Sequence, residues 1–117
     1  MLIVAGLGAT VQRNRAYTSA ISIWSDTVAK LPENFRAHNN LAAVLATLSG
    51  REAEAIAHFE AALRGLPDSA VVHLNLAREL EKLAGRRLDA ARHYEAALKL
   101  NPALAEAAAA LRRLRQN

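Results

Sequence analysis

Pro32, Pro67 and Pro102 stand 35 residues apart, and the same interval separates Ala20, Ala55 and Ala90 as well as the aromatic positions Trp24, Phe59 and Tyr94. Laid over each other at that offset, two long segments agree at His38 and His73, Asn40 and Asn75, Leu41 and Leu76, Ala42 and Ala77, and Leu45 and Leu80. The agreement runs on through Leu48 and Leu83, Gly50 and Gly85, Arg51 and Arg86, His58 and His93, and Glu60–Leu63 with Glu95–Leu98. A fixed period of this length marks stacked supersecondary units, each burying its apolar face against its neighbours. It directs attention to a repeat surface rather than to an enclosed cleft.

Ala, Leu, Arg and Glu dominate the 117 residues, and the breakers Gly and Pro fall at boundaries that keep the period, which predicts an all-α chain. Ala37, Leu41, Val44, Leu45 and Leu48 recur with helical spacing and predict a first helix over Asn34–Leu48. Ser49-Gly50 then makes a turn, with Gly50 free to take the left-handed conformation that closes a helix. A second helix over Glu52–Arg64 would bury Ala55, Ile56, Phe59, Ala62 and Leu63. The next unit copies the plan, with helices over Ser69–Leu83 and Leu88–Leu100 and a turn at Ala84-Gly85. Beyond Pro102, Leu104, Ala107, Ala108, Leu111 and Leu114 form a narrow apolar stripe suited to a capping helix. Ala42, Ala55 and Ala62, with their copies Ala77, Ala90 and Ala97, mark close helix approaches, where larger side chains would cost about 1–3 kcal/mol.

The pattern Leu41-Ala42, Leu45, Gly50, Ala55, Phe59, Ala62, Pro67, repeated as Leu76-Ala77, Leu80, Gly85, Ala90, Tyr94, Ala97, Pro102, resembles the tetratricopeptide repeat. The resemblance covers nearly the whole chain and implies a right-handed α-solenoid of antiparallel helix hairpins. One domain over 1–117 is expected: a degenerate first unit (1–32), two full repeats (33–67 and 68–102) and a capping helix (103–117). There are departures from the pattern. The usual period is about 34, and here one extra residue precedes Gly50 and again Gly85, while His38 and His73 replace the usual helix-A tryptophan. In the first unit Ala20, Trp24 and Pro32 fit and Leu7-Gly8 stands at the helix-A position, but Arg15 occupies the expected turn glycine. The pentatricopeptide repeat, which reads RNA one base per unit, has a similar length, but Ala62, Ala97, Pro67 and Pro102 match the tetratricopeptide pattern instead.

The apolar run Met1–Val11 ends at Gln12-Arg13, short of the roughly 20 residues of a membrane-spanning helix, and it lacks the cationic opening of a signal peptide. Two readings stand: the first helix of the first unit, or the end of a membrane helix that begins upstream of Met1. The second is prompted by Ile23–Lys30 followed by Arg36–Leu41, which is similar to the repeat tail of bacterial polytopic membrane proteins of the glycosyltransferase-like kind. On that reading the chain is a soluble fragment of a larger membrane protein, serving assembly or self-association, with Leu2–Val11, Leu111 and Leu114 as adhesive ends. The compartment is left open.

The chain has no cysteine, which excludes disulfides, thiolate metal sites and thiol nucleophiles. The four histidines obey the period, so packing or capping contacts are expected of them and no metal. Glu52, Glu54 and Glu60 fall among cations on a solvated face, no serine or threonine has a base at helical spacing, and no glycine-rich phosphate loop is present. No enzyme activity, catalytic residue or cofactor is therefore expected. Few aromatics and no basic stripe speak against a nucleic-acid partner.

At about 100° per residue, Arg36, Asn40, Ala43 and Thr47 share a helix face opposite Leu41 and Leu45, with Asn39 beside them. One period on, that face carries Val71, Asn75, Arg78 and Lys82, flanked by Leu74. The resemblance implies that this is the concave face of the solenoid and that the chain is a protein-interaction scaffold. Arg36, Asn39, Asn40, Ala43, Asn75, Arg78 and Lys82 are the expected peptide contacts. An amide offers donor and acceptor together, so Asn40 and Asn75 can hold the backbone of an extended segment, or can bond the neighbouring helix. Arg36, Arg78 and Lys82 would favour acidic segments. The carboxylate clamp of chaperone-tail-binding members is incomplete, because Asn39 and Ala43 stand where those members need a lysine and a second asparagine.

Overall fold

The computed structural model describes Arg15 and residues 18–116. The apolar opening over 1–12, and the helix expected from it, lie outside the described residues. Among the described residues there are six helices: α1 over 18–30, α2 (Phe35–Leu45), α3 (Glu52–Gly65), α4 (Ala70–Glu81), α5 (Arg87–Leu100) and α6 (Ala105–Gln116). The chain is an all-α stack: α2 pairs with α3 and α4 with α5, and the hairpins are joined through α3 against α4 and α5 against α6.

Helices α2 to α5 begin where the sequence supplies acceptors or negative charge for the open N–H groups. Asn34 Oδ1 accepts from the Ala37 N–H at 3.1 Å and Ser69 Oγ from the Val72 N–H at 3.3 Å, so two copies of one position cap α2 and α4 with different side chains. α3 and α5 have no side-chain cap, but Glu52 and Glu54 in one and Asp89 in the other place negative charge at the positive end of the helix.

α2 and α4 stop earlier than the apolar pattern predicts, at Leu45 and Glu81 instead of Leu48 and Leu83. The chain tightens there into i→i+3 bonds, Thr47 N–H to Val44 C=O at 3.1 Å and Leu48 N–H to Leu45 C=O at 3.0 Å. Lys82 and Leu83 repeat this on Glu79 and Leu80, both at 3.1 Å. The extra residue of the 35-residue period is taken up in this tighter winding, after which Gly50 (φ 84°) and Gly85 (φ 82°) reverse the chain.

The repeat-phased small residues do the packing expected of them. Ala42, Ala55, Ala62, Ala77, Ala90 and Ala97 are all 0% exposed, and Phe59 and Tyr94, each 1% exposed, fill the space beside them. Trp24 is half-buried and packs against the same core with Ile21 and Val28. Burial, with the Glu81 carboxylate next in effect, pushes the Tyr94 phenol up to about 12, so the hydroxyl stays neutral. Gly65 departs from the repeat, Leu100 being its copy, for a steric reason: a Cβ there would lie 1.8 Å from the Phe35 ring. α6 closes the stack with Ala107, Ala110 and Leu111 turned inward. Two of its arginines are paired, Arg113 with Glu81 at 2.9 Å and Arg115 with Glu95 at 2.7 Å, while Arg87 of α5 donates to the Leu114 carbonyl at 2.5 Å.

Candidate functional site

A groove of about 310 Å³ runs between α2 and α4. Ala43 and, from the closing turn, Ala46 and Thr47 form one side; Asn75, Arg78, Glu79 and Lys82 form the other; Phe59 of α3 lies at the base. Of the seven residues expected to contact a peptide, Ala43, Asn75, Arg78 and Lys82 line this groove. Arg36, Asn39 and Asn40 lie outside its lining, on the N-terminal half of α2, with Arg36 exposed and both asparagines half-buried. Asn39 Oδ1 is buried without a hydrogen-bond donor.

The cations of the groove are already engaged. Arg78 donates from Nε to Glu106 Oε1 at 2.6 Å and from Nη2 to Glu106 Oε2, and from Nη1 to Asn75 Oδ1 at 3.1 Å. This fork–fork geometry raises the arginine and holds the Glu106 carboxyl below the usual carboxylate range, so both stay charged. Lys82 Nζ donates to Glu79 Oε1 at 2.6 Å and to the Ala46 carbonyl at 3.2 Å. Glu79 is 3% exposed, and its Oε2 has no donor.

Sequence reasoning passed over Glu79 and Glu106. Their positions explain why: Glu79 falls in phase with the apolar Val44, and Glu106, although in phase with Val71 and Arg36 of the expected face, lies on the helix expected only to cap the stack. The available signal was the break itself, a carboxylate where the period carries valine, three residues before a lysine.

The histidines meet in a way that comparing one period with the next could not reveal. His38 pairs with His58 and His73 with His93, each Nδ1···Nδ1 at 3.0 Å, linking the two helices of one hairpin. His38 Nε2–H donates to the Pro32 carbonyl and His73 Nε2–H to the Pro67 carbonyl, both at 2.9 Å. That bond fixes the tautomer, leaving Nδ1 of His38 and of His73 as acceptor and the partner Nδ1–H as donor. Ring centroids 5.2 and 5.3 Å apart, with planes 29° from coplanar, mean that the rings point at one another edge to edge along the Nδ1 line. A proton fits between the nitrogens; a metal at its usual bond length would need them about 4 Å apart on that line. Burial holds His58 and His93 below the ordinary histidine value, and the partner ring adds to the effect; Glu54 and Asp89 oppose it, and Arg86 reinforces it at His93. Among the described residues no group of three or more histidine or carboxylate side chains could hold a metal.

The fold matches solved tetratricopeptide domains along nearly its whole length. The first tetratricopeptide domain of Spaghetti (RPAP3), bound to the HSP90 peptide SRMEEVD, superposes with a TM-score of 0.80 at 22% identity, covering 98% of this chain and 90% of that one. The OM64 tetratricopeptide domain of Arabidopsis gives a TM-score of 0.80 at 22% identity, covering 94% and 89%. The architecture of antiparallel hairpins in a solenoid is therefore that of tetratricopeptide domains. Neither likeness supports the tie to a glycosyltransferase-like membrane protein, and no helix among the described residues is long and apolar enough to cross a membrane. The sequence matches no protein-family model and no curated protein.

Proposed function

We propose that this chain is a non-enzymatic protein-interaction scaffold that docks an extended segment of a partner along the concave face formed by α2 and α4. The observation that carries the reading is the groove between these helices, where Ala43, Asn75, Arg78 and Lys82 converge on a fold that holds a peptide in the Spaghetti domain. Asn40 and Asn75 would each offer an amide to the partner's backbone, Asn75 through its free N–H groups because its oxygen accepts from Arg78. A preference for acidic segments rests on Arg36, since Arg78 and Lys82 are paired with Glu106 and Glu79.

Titration of the isotope-labelled protein with pooled peptides, followed by amide chemical shifts, tests the reading. Shifts gathered on α2 and α4, reduced in Asn40→Ala and Asn75→Ala, are the expected outcome. Shifts confined to exposed positions of α3 and α5 would sink it.

A further inference from the structure

The groove is built like a socket for one cationic side chain. Resting on the peptide-binding reading above, we infer that the partner inserts a lysine or arginine between α2 and α4, with Glu79 as the anchor.

Chemically, the lining divides into a sleeve and an end. Ala43, Ala46 and the Phe59 ring are short or flat apolar surfaces, suited to the methylene stem of a long side chain. Glu79 supplies the end: it lines the groove, is 3% exposed, and leaves Oε2 without a donor while Oε1 takes Lys82. A buried carboxylate with an unmatched oxygen favours any donor that can reach it, and a charged donor most. At about 310 Å³ the groove lies at the small end of ligand pockets, enough for a side chain and little else.

Lys82 already displays this chemistry from within the chain. Its ammonium sits on Glu79 Oε1 and the Ala46 carbonyl, yet 45% of the side chain is exposed, so it can move aside. A guest cation would take the place of Lys82 on Glu79, whose buried Oε2 leaves the carboxylate short of donors. An anionic guest meets the opposite situation: both oxygens of Glu106 fill the Arg78 fork, and drawing Lys82 away strands Glu79. The formal charge of +4 opposes a basic guest at long range. Remote charges are largely screened beyond about 8 Å at physiological salt, whereas a contact within the groove is not.

Three peptides that share one sequence except for a central lysine, glutamine or glutamate would be titrated into wild type, Glu79→Gln and Lys82→Met, with amide shifts and affinities recorded. The lysine peptide should bind best to wild type and move the amides of Ala43, Ala46 and Phe59. It should lose about tenfold or more in Glu79→Gln, the loss of one charged hydrogen bond. It should gain in Lys82→Met, where the internal competitor is gone. The second variant keeps its carboxylate, so the test survives if Glu79→Gln unfolds. Stronger binding of the glutamine or glutamate peptide on this face, an unchanged affinity in Glu79→Gln, or weaker lysine-peptide binding in Lys82→Met overturns the socket and leaves the peptide face standing. Absence of shifts on α2 and α4 with every peptide removes both.

Discussion

The α2–α3 hairpin and the α4–α5 hairpin share most of their buried side and diverge at several positions around the groove. Leu41, Ala42, Leu45, Ala55 and Ala62 recur as Leu76, Ala77, Leu80, Ala90 and Ala97, all buried. Arg36, Ala43, Val44 and Thr47 become Val71, Arg78, Glu79 and Lys82. Packing density ties the first set to one solution, because interiors tolerate neither voids nor extra methylenes. Apart from Val44 and its buried copy Glu79, the second set is exposed and released from that constraint, so one hairpin supplies the plain wall of the groove and the other its charges. What recurs builds the solenoid and repeats Asn40 as Asn75 on its face, and what fails to recur gives the groove its charges.

The comparison is tested hardest in the core. Phe59→Ala and Tyr94→Ala should each cost about 3–5 kcal/mol in urea denaturation, and by similar amounts, since both rings are 1% exposed beside the same alanines. A large inequality would show that the hairpins are not energetic equivalents. Next come the turns: Gly50→Ala and Gly85→Ala should each cost about 1–2 kcal/mol through left-handed backbone strain, because no atom lies within 4 Å of an added Cβ at either place.

A subtler effect is expected from the histidine pairs. The folded state depresses His58 and His93 below their unfolded value near 6.5, so it favours the neutral rings. Their contribution is fully present above that value and is lost as the pH falls through it toward the folded value. Denaturation midpoints should therefore begin to drop as the pH falls below about 6.5, and the double variant His58→Gln, His93→Gln should flatten that part of the profile. If each single variant flattens it by half, the pairs act independently. The smallest effect belongs to Asn40→Ala, on the open face, which should change stability by no more than about 0.5 kcal/mol while weakening peptide binding.

The fold was legible because packing leaves a periodic trace: Pro32, Pro67 and Pro102, the alanines and the aromatics announce the hairpins before any coordinate is known. The site was legible only in part. Ala43, Asn75, Arg78 and Lys82 could be placed on one face from helical spacing, yet spacing carries no information about which charges meet across helices. Glu106 reaches Arg78 from 28 residues away and His58 reaches His38 from 20, and neither interval is the period. The same period that revealed the fold therefore concealed the pairing, since it matched each histidine to its copy and not to its partner.

The tighter winding after Leu45 has a chemical result as well as a geometric one. With α2 ended early, the Gly50 N–H turns to Glu52 Oε1 at 3.2 Å, and the Ala46 carbonyl is left to receive Lys82 from the next hairpin, also at 3.2 Å. One added residue per unit thus turns a carbonyl that would serve its own helix into a tether between units. Shortening this turn by a residue would draw Ala46 back into the helix and leave Lys82 on Glu79 alone, so the spacing of the solenoid and the tether between its units are linked through one inserted residue.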